Sequence, residues 1–231
     1  MKNILGIDGS KSGWVGVKQS SKQEGTLEIL FKNKLIDFLS PDIDLIIIDM
    51  PVGLDRNIQQ GGRLVDKEAR KRLLKRKSSI FNAPIRDVLK AKSYNEANTI
   101  SKNKGLGISK QSWNLIPKIN ELDQILQIKI RPQIYESHPE LCFQIMNDGA
   151  LKFSKKDKLG IKERKNILIK NGFDKKFLDN NLKKNKNFHS DDFLDACALS
   201  WTAKRIINEQ NINLPEDPEK DELGIIMQMK V

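Results

Sequence analysis

The sequence has 231 residues, of which 38% are hydrophobic and 31% are charged. This balance is typical of a globular chain that can bury a sizeable core. Lysine and arginine outnumber aspartate and glutamate by 41 to 30, a formal net charge of +11. No run approaches the roughly 18 consecutive apolar residues that a transmembrane helix needs, and the first residues lack the pattern of a signal peptide. The composition excludes a membrane protein and predicts one cytoplasmic domain over residues 1–231.

The first quarter of the chain predicts four strands. Residues 3–8 form the first, and the glycine-rich turn GSKSG connects it to a second at WVGVKQ, which predicts a hairpin. A third strand is predicted at TLEILFKN and a short helix around KLIDFLS. The continuous aliphatic run DLIIIDMP, which ends at Pro51, is typical of a central parallel strand that is buried on both faces.

A polar and helical segment, residues 55–128, follows this strand. Its periodicity predicts helices over 64–77, 87–103 and 109–127. Six of the nine arginines of the chain lie between Arg56 and Arg86. Because the planar guanidinium suits bidentate contact with phosphate, these arginines predict either a phosphate or nucleic-acid contact or a solvated helix face.

The rest of the chain predicts one more central strand, several helices and a final strand. The strand is RPQIYES, and the helices run from Pro139 to Met146, around 160–171 and over 190–208. The acidic stretch LPEDPEKDE predicts a turn, and the tail GIIMQMKV predicts an edge strand. Crossover connections place the fourth strand parallel to the first. The pattern therefore predicts a mixed sheet flanked by helices.

Two of the predicted strands end on aspartate, LGID at Asp8 and IIID at Asp49. A buried carboxylate needs a partner, a proton or a metal. Neighbouring strands lie about 4.8 Å apart, so both carboxylates can reach one cation. Glu136, at the end of QIYE, is expected either at the same edge of the sheet or as a hydrogen-bonded carboxylate near His138.

The last predicted helix supplies more carboxylates. Asp191 and Asp192 lie in its first turn, where capping and the helix dipole favour aspartate. Asp195 lies in the apolar stretch FLDACALSW, on the helix face that it shares with the other two. Carboxylate oxygens are the ligands of hard divalent cations. The sequence thus predicts a cluster of four or five carboxylates that holds Mg²⁺ or Mn²⁺.

Taken together, the motifs of this chain resemble those of a known family. They are GIDGSKSGW, IDMPVGL, RKSSIFNAPIR, GISKQSWNLIPKI, YESHPE and SDDFLDACALSWTA. The set is similar to domain-of-unknown-function family 429, whose members are predicted nucleases with an RNase H-like fold. The resemblance extends from Asn3 to Lys204, and its last motif is also similar to the final helix of bacterial Holliday-junction resolvases.

The resemblance implies an RNase H-like mixed five-stranded sheet, a three-strand meander plus parallel strands, flanked by helices and carrying a helical insertion at 55–128. It also implies metal ligands at Asp8, Asp49 and the Asp192–Asp195 pair, and it places Glu136 at a motif position. On this basis we expect a divalent-metal-dependent nuclease that hydrolyses phosphodiester bonds of DNA or RNA. Two metal ions would activate water and stabilise the leaving oxygen.

The expected site residues form two sets. The catalytic carboxylates are Asp8, Asp49, Glu136, Asp192 and Asp195, and the phosphate contacts are Arg70, Ser79, Arg86, Lys110 and Lys118. Two other functions remain open. One is an actin-like-fold phosphotransferase or ATPase whose hairpin GIDGSKSG cradles phosphates, and the other is a nucleic-acid-binding module without catalysis. The sequence does not distinguish DNA, RNA and junction substrates and predicts no oligomeric state.

Overall fold

A computed structural model describes residues 2–20, 26–128, 132–183 and 185–231. Its strands are β1 (Asn3–Ser10), β2 (Gly13–Ser20), β3 (Glu28–Lys32), β4 (Leu45–Ile48), β5 (Gln133–Glu136), β6 (Asn213–Lys220) and β7 (Ile226–Lys230). They form one seven-stranded sheet in the order β3-β2-β1-β4-β5-β7-β6. Strands β4 and β5 run parallel to β1, whereas β1, β2 and β3 form an antiparallel meander. The result is a mixed α/β fold.

Helices pack on both faces of this sheet. They are α1 (Leu64–Arg72), α2 (Tyr94–Lys102), α3 (Lys110–Gln127), α4 (Pro139–Met146), α5 (Lys158–Lys170), α6 (Lys175–Asn181) and α7 (Ser190–Ile207). Short 3-10 turns occur at Leu35–Phe38, Lys77–Ser79 and Arg86–Lys90. Among the described residues, no helix combines the length and the apolar character that crossing a membrane requires.

The two faces of the sheet bury separate apolar cores. One core packs Ile4 and Ile47 with apolar residues of α4, α5 and α7. The other packs Ile7 and Ile48 with residues of α3. Successive strand residues point to opposite faces. The residue that follows Ile7 and the one that follows Ile48 therefore lie on the α7 face.

Helix α7 lies very close to β1 at Gly6. A methyl group added to Gly6 would lie 2.1 Å from the backbone nitrogen of Ser200 and 2.4 Å from the carbonyl oxygen of Ala196. Both distances are far inside van der Waals contact, so a residue without a side chain is required at this crossing. The approach brings Asp195 next to the end of β1.

Most of the predicted elements are confirmed. The hairpin of β1 and β2, the parallel pairing of β1 with β4, and the helix from Pro139 to Met146 are all present. The number of strands was predicted wrongly, because the sheet has seven strands rather than five. Arg131, in the predicted strand RPQIYES, lies outside the described residues.

The C-terminal strands explain the difference in strand number. The acidic stretch predicted as a turn is β6, at the edge of the sheet, and β7 lies between β5 and β6 instead of at the edge. Pro215, Pro218 and several charged residues suggested a turn. An edge strand tolerates both proline and charged residues, because the backbone N–H and C=O groups on its outer side have no partner strand.

Two helices in the insertion are shorter than predicted. The helix predicted over 64–77 ends at Arg72, and Arg76 has a left-handed backbone with a φ of 58°. The helix predicted over 87–103 begins only at Tyr94, where the side chain of Ser93 accepts a hydrogen bond from the Glu96 amide. Helix α6 was not predicted.

Candidate functional site

The ends of β1 and β4 place two aspartates side by side. Ile7 pairs with Ile48 across the parallel strands, and the Asp49 amide donates to the Ile7 carbonyl at 3.1 Å. Asp8 and Asp49 each come one residue later, on the face that α7 covers. Asp8 is buried, and its Oδ1 accepts the Gly9 amide at 2.7 Å. The side chains of Asp8 and Asp49 therefore leave neighbouring strands on the same face of the sheet.

Asp195 reaches the same point from α7. Its side chain is fully buried, and its Oδ2 accepts a hydrogen bond from Lys155 Nζ at 2.6 Å. Its other oxygen, Oδ1, is buried and has no hydrogen-bond partner among the described residues. Leaving such an oxygen unsatisfied is costly, which points to a further donor or cation at this position. Asp8, Asp49 and Asp195 are called the carboxylate cluster below.

The three carboxylates influence one another electrostatically. Burial, with contributions from Asp49 and Asp195, raises the pKa of Asp8 well above its usual value. Burial also raises the pKa of Asp49 to about 7 and that of Asp195 to about 6. Lys155 acts in the opposite direction on all three. The charge of Lys155 thus partly offsets the effect of burial on the pKa of all three carboxyl groups.

Asp192 lies at the margin of the carboxylate cluster. Its Oδ2 accepts the His189 amide at 2.9 Å and thereby caps α7. Burial raises its pKa, and the Asp192 charge contributes to the raised pKa of Asp8. The residue is near the cluster, but one of its oxygens is already engaged by the helix terminus.

Glu136 has a different environment from the cluster. It pairs with Ile48 across β4 and β5, so its side chain leaves β5 on the face of the sheet opposite to that of Asp49. Its Oε1 accepts from Arg63 Nη2 at 2.7 Å, and its Oε2 accepts the Val52 amide at 2.8 Å. Arg63 is 2% exposed and also pairs with Asp66 at 2.7 Å. Glu136 therefore ties the β4–α1 connection to β5.

A small recess lies between Asp49 and Glu136. It has a volume of about 20 Å³, and His138 forms part of its wall. Burial lowers the pKa of His138 to about 4, so the ring is neutral at physiological pH. Its Nδ1 has no hydrogen-bond partner in the part of the chain that the structure describes.

Two arginines that were predicted to contact phosphate, Arg86 and Arg70, are bonded to other groups of the protein instead. Arg86 forms ion pairs with Asp123 and Asp221. Arg70 donates to the Ile80 carbonyl at 2.8 Å and also to the carbonyl of Gly61. These guanidinium groups connect elements of the insertion to each other and to the chain after β6.

The other three predicted phosphate contacts differ in position. Lys118 packs on the β1–β2 hairpin: its ammonium donates to the Gly13 carbonyl at 2.5 Å and lies 4.3 Å from the centre of the Trp14 ring. Burial lowers the pKa of Lys118 overall. Lys110 is exposed, 5.9 Å from the ring centre of Tyr94. Ser79 Oγ is buried without a hydrogen-bond partner among the described residues.

Sequence reasoning missed Lys155 as a site residue. It belongs to the stretch FSKKDK in a lysine-rich region, where nothing in the local pattern separates it from its neighbours. The tertiary structure alone brings it to Asp195, 40 residues away in the chain. Arg63 was counted only among the arginines of the insertion, although it is buried and paired with two carboxylates.

The contacts of the cluster bear on whether a metal ion fits there. Within residues 2–20, 26–128, 132–183 and 185–231, no three His, Cys, Asp or Glu side chains are arranged to hold a metal ion. The donor chemistry of the cluster nevertheless suits a hard divalent cation, and the unpartnered Asp195 Oδ1 is an available ligand. The cation found at the cluster is the ammonium of Lys155.

A larger cavity of about 810 Å³ lies in the insertion. Its wall combines apolar residues such as Ile58 and Ile108 with the amide of Asn82. Ile80 and Phe81 line both this cavity and the small recess at Asp49. The cavity is therefore adjacent to the recess, and the loop that carries Ile80 and Phe81 borders both.

Comparisons with known proteins identify a family. No curated protein and no solved structure matches the chain. A family profile described as "Protein of unknown function (DUF429)" matches residues 6–220, which is most of the 231 residues. The chain belongs to this family.

Proposed function

We propose that this protein is a divalent-cation-dependent phosphodiester hydrolase that acts on DNA or RNA. The observation that carries the proposal is the carboxylate cluster: Asp8, Asp49 and Asp195 come from three separate elements and meet at the ends of parallel strands. Burial raises the pKa of each. Ligand sites of α/β sheets lie outside the carboxyl ends of such strands.

In this proposal, the carboxylates hold Mg²⁺ or Mn²⁺. Asp8, Asp49 and Asp195 are the principal ligands, and Asp192 contributes the oxygen that does not cap α7. The bound cations supply an activated water and stabilisation of the leaving oxygen. Glu136 acts as a positioning residue, because its contacts with Arg63 and Val52 fix the chain segment directly after Asp49.

The sheet topology supports an RNase H-like architecture. An antiparallel meander, β1 to β3, is followed by β4 and β5 in parallel with β1. The carboxylates come from the ends of β1 and β4 and from the last helix, which is the arrangement that the family resemblance implies. The strands β7 and β6 extend this core beyond β5.

Two features support a nucleic-acid substrate. The net charge of +11 favours association with a polyanion. The cavity beside Ile80 and Phe81 is lined by apolar residues and by polar side chains that include Arg70 and Asn82, a combination that suits the flat face and polar edge of a nucleobase. We propose that a base adjacent to the scissile phosphate enters this cavity.

Cleavage assays test the proposed activity. Single-stranded and double-stranded DNA, RNA and a four-way junction are incubated with the protein in Mg²⁺, Mn²⁺ or EDTA, with ATP hydrolysis measured in parallel. We expect cleavage of at least one nucleic acid with metal and none in EDTA. Asp8→Asn should abolish it, whereas Asp191→Asn should retain it.

The other outcomes contradict the proposal in distinguishable ways. ATP hydrolysis without nucleic-acid cleavage indicates the actin-like phosphotransferase or ATPase. Tight binding of nucleic acid without cleavage under any metal condition indicates a non-catalytic binding module. Cleavage that persists in EDTA and in Asp8→Asn excludes the carboxylate cluster as the active centre.

A further inference from the structure

Lys155 places an ammonium group inside the carboxylate cluster. Its Nζ lies 2.6 Å from Asp195 Oδ2, and the Asp195 side chain is 0% exposed while that of Lys155 is 35% exposed. The lysine therefore enters the site from the surface, and its ammonium donates to Asp195. The Asp195, Asp8 and Asp49 charges all favour its charged form and raise its pKa.

The other buried cations nearby have carboxylate partners outside the cluster. Arg164 pairs with Glu140, and Arg63 pairs with Glu136 and Asp66. Among the described residues, Lys155 is the Lys or Arg whose side chain forms an ion pair with a member of the cluster. It is thus the positive charge that balances the three carboxylates in this structure.

The backbone next to Lys155 is held in place. The Phe153 amide donates to Glu163 Oε2 at 3.0 Å, and the Phe153 carbonyl accepts from Arg76 at 2.6 Å. A methyl group added to Gly160 would lie 1.7 Å from the Ser154 carbonyl oxygen, so α5 packs directly on this segment. Withdrawal of the ammonium therefore needs rotation of the flexible lysine side chain and no movement of the loop.

We propose that Lys155 is an internal competitor of the divalent cation: its ammonium holds the carboxylate cluster together without metal and is displaced from Asp195 when metal binds. This inference rests on the proposed function. An ammonium next to a divalent cation is electrostatically unfavourable, and both compete for the same carboxylate oxygens. Occupation by one therefore weakens binding of the other, as linkage requires.

Metal titration tests the competition without any substrate. Mn²⁺ affinity is measured by calorimetry for wild type, Lys155→Met and Lys156→Met. Lys156 is exposed and adjacent, so its substitution removes the same charge without touching the cluster. We expect Lys155→Met to bind Mn²⁺ about tenfold or more tightly than wild type and to melt at a lower temperature without metal, with Lys156→Met close to wild type.

A second measurement uses the unaltered protein, in case Lys155→Met does not fold. Acetylation of each lysine by a water-soluble reagent is followed by mass spectrometry with and without Mn²⁺. We expect Mn²⁺ to accelerate acetylation of Lys155 and to leave Lys156 unchanged.

The outcomes separate this inference from the proposed function. If wild type binds Mn²⁺ but Lys155→Met binds it equally or more weakly, the competition is refuted and the metal site stands. Mn²⁺ binding without faster acetylation of Lys155 likewise refutes the competition. If neither wild type nor Lys155→Met binds Mn²⁺, both proposals are wrong.

Discussion

At the scale of single residues, Asp8 shows how burial and neighbouring charges act on one carboxyl group. Its carboxyl group is buried beside Asp49 and Asp195, and its pKa is raised well above the usual value. A raised pKa means that the folded protein holds a proton that the unfolded chain releases. The free energy of unfolding therefore decreases as pH rises from about 4 through the pKa of the folded state. A divalent cation bound by the ionised carboxylates would offset this loss of stability.

Substitution of Asp8 by asparagine should stabilise the protein without metal. The amide side chain would keep an oxygen for the Gly9 amide while removing the charge. We expect Asp8→Asn to melt above wild type at pH 8 by at least about 3 °C, and the difference to shrink at pH 5. The same variant should lose most of the stabilisation that Mn²⁺ gives to wild type. Thermal melts at both pH values, with and without Mn²⁺, provide the measurement.

Asp191→Asn is the matched control for this substitution. Asp191 lies in the first turn of α7 and carries the same charge, and its replacement should change only helix-dipole stabilisation, by about 0.3–1 kcal/mol. An Asp8→Asn variant that melts below wild type at pH 8 without metal would show that the Asp8 charge is favourable, contrary to this account.

Glu136 should contribute to stability rather than to metal binding. Its carboxylate is 4% exposed and is bonded to Arg63 and the Val52 amide. We expect Glu136→Gln to lower the free energy of unfolding by about 2 kcal/mol or more, because Arg63 loses a buried charged partner. The melting shift that Mn²⁺ produces should persist. Urea denaturation and metal-dependent melts measure the two quantities.

A surface ion pair provides the control for the Glu136→Gln substitution. Glu68 pairs with Lys71, whose side chain is 73% exposed, and Glu68→Gln should cost no more than about 1 kcal/mol. Loss of the Mn²⁺ shift in folded Glu136→Gln would instead place Glu136 among the metal ligands.

The sequence drew attention to Asp8, Asp49 and Asp195 for a physical reason, although it also grouped Glu136 with them, and Glu136 is bonded to Arg63 instead. Asp8 and Asp49 each follow a run of aliphatic residues, although β1 continues to Ser10, and Asp195 interrupts an apolar helix, so each is a local anomaly that a pattern can reveal. The sequence around Lys155 and around Arg63 shows no comparable anomaly that would indicate their contacts. A long flexible cation can reach carboxylates from many backbone positions, and only the tertiary fold selects one.

At the scale of elements, the contact of α7 with β1 positions the site. Gly6 allows the helix backbone to touch the strand, and Asp195 is one residue away from Ala196, whose carbonyl faces Gly6. Sequence periodicity predicted both elements but not their distance, because glycine in a strand indicates a close approach without identifying the partner.

Gly6→Ala should therefore disrupt the fold at its centre. The added methyl group would meet backbone atoms of α7, which cannot rotate away as a side chain can. We expect a loss of about 3 kcal/mol or more in the free energy of unfolding, measured by urea denaturation. Gly9→Ala on the same strand is the control: its methyl group would lie 3.1 Å from a flexible Lys118 carbon, and the loss should be clearly smaller. Equal losses would contradict the proposed role of the Gly6 crossing.

Strand β6 shows where element prediction fails. Composition within LPEDPEKDE is that of a turn, yet the segment completes the sheet by pairing with β7. Pairing supplies the stabilisation that local propensity lacks, and edge strands tolerate proline and charge. The central strands could be predicted because burial on both faces dictates an aliphatic run.

At the scale of the whole molecule, the net charge of +11 should govern nucleic-acid binding. Several guanidinium groups are engaged internally, so in the proposed function exposed side chains such as Lys110 would provide the contacts with phosphate. We expect affinity for a short single-stranded oligonucleotide to fall steeply with salt, and Lys110→Ala to reduce the slope of log K against log salt by about 0.7. Fluorescence anisotropy titrations at several salt concentrations measure this slope.

Arg86→Ala distinguishes structural from binding arginines. It breaks ion pairs with Asp123 and Asp221 and should cost about 3–5 kcal/mol of stability. The salt slope of the folded fraction should remain that of wild type. A reduced slope in folded Arg86→Ala would return this residue to the nucleic-acid interface.

The carboxylate cluster as a divalent-metal site is most directly tested by a crystal structure of the protein grown in Mn²⁺, with diffraction recorded at the manganese absorption edge. We expect an anomalous peak within coordination distance of carboxylate oxygens of Asp8, Asp49 and Asp195, the ligand type that hard divalent cations prefer. No manganese signal at these three side chains, with Lys155 still bonded to Asp195, would show that the carboxylate cluster is not a metal site.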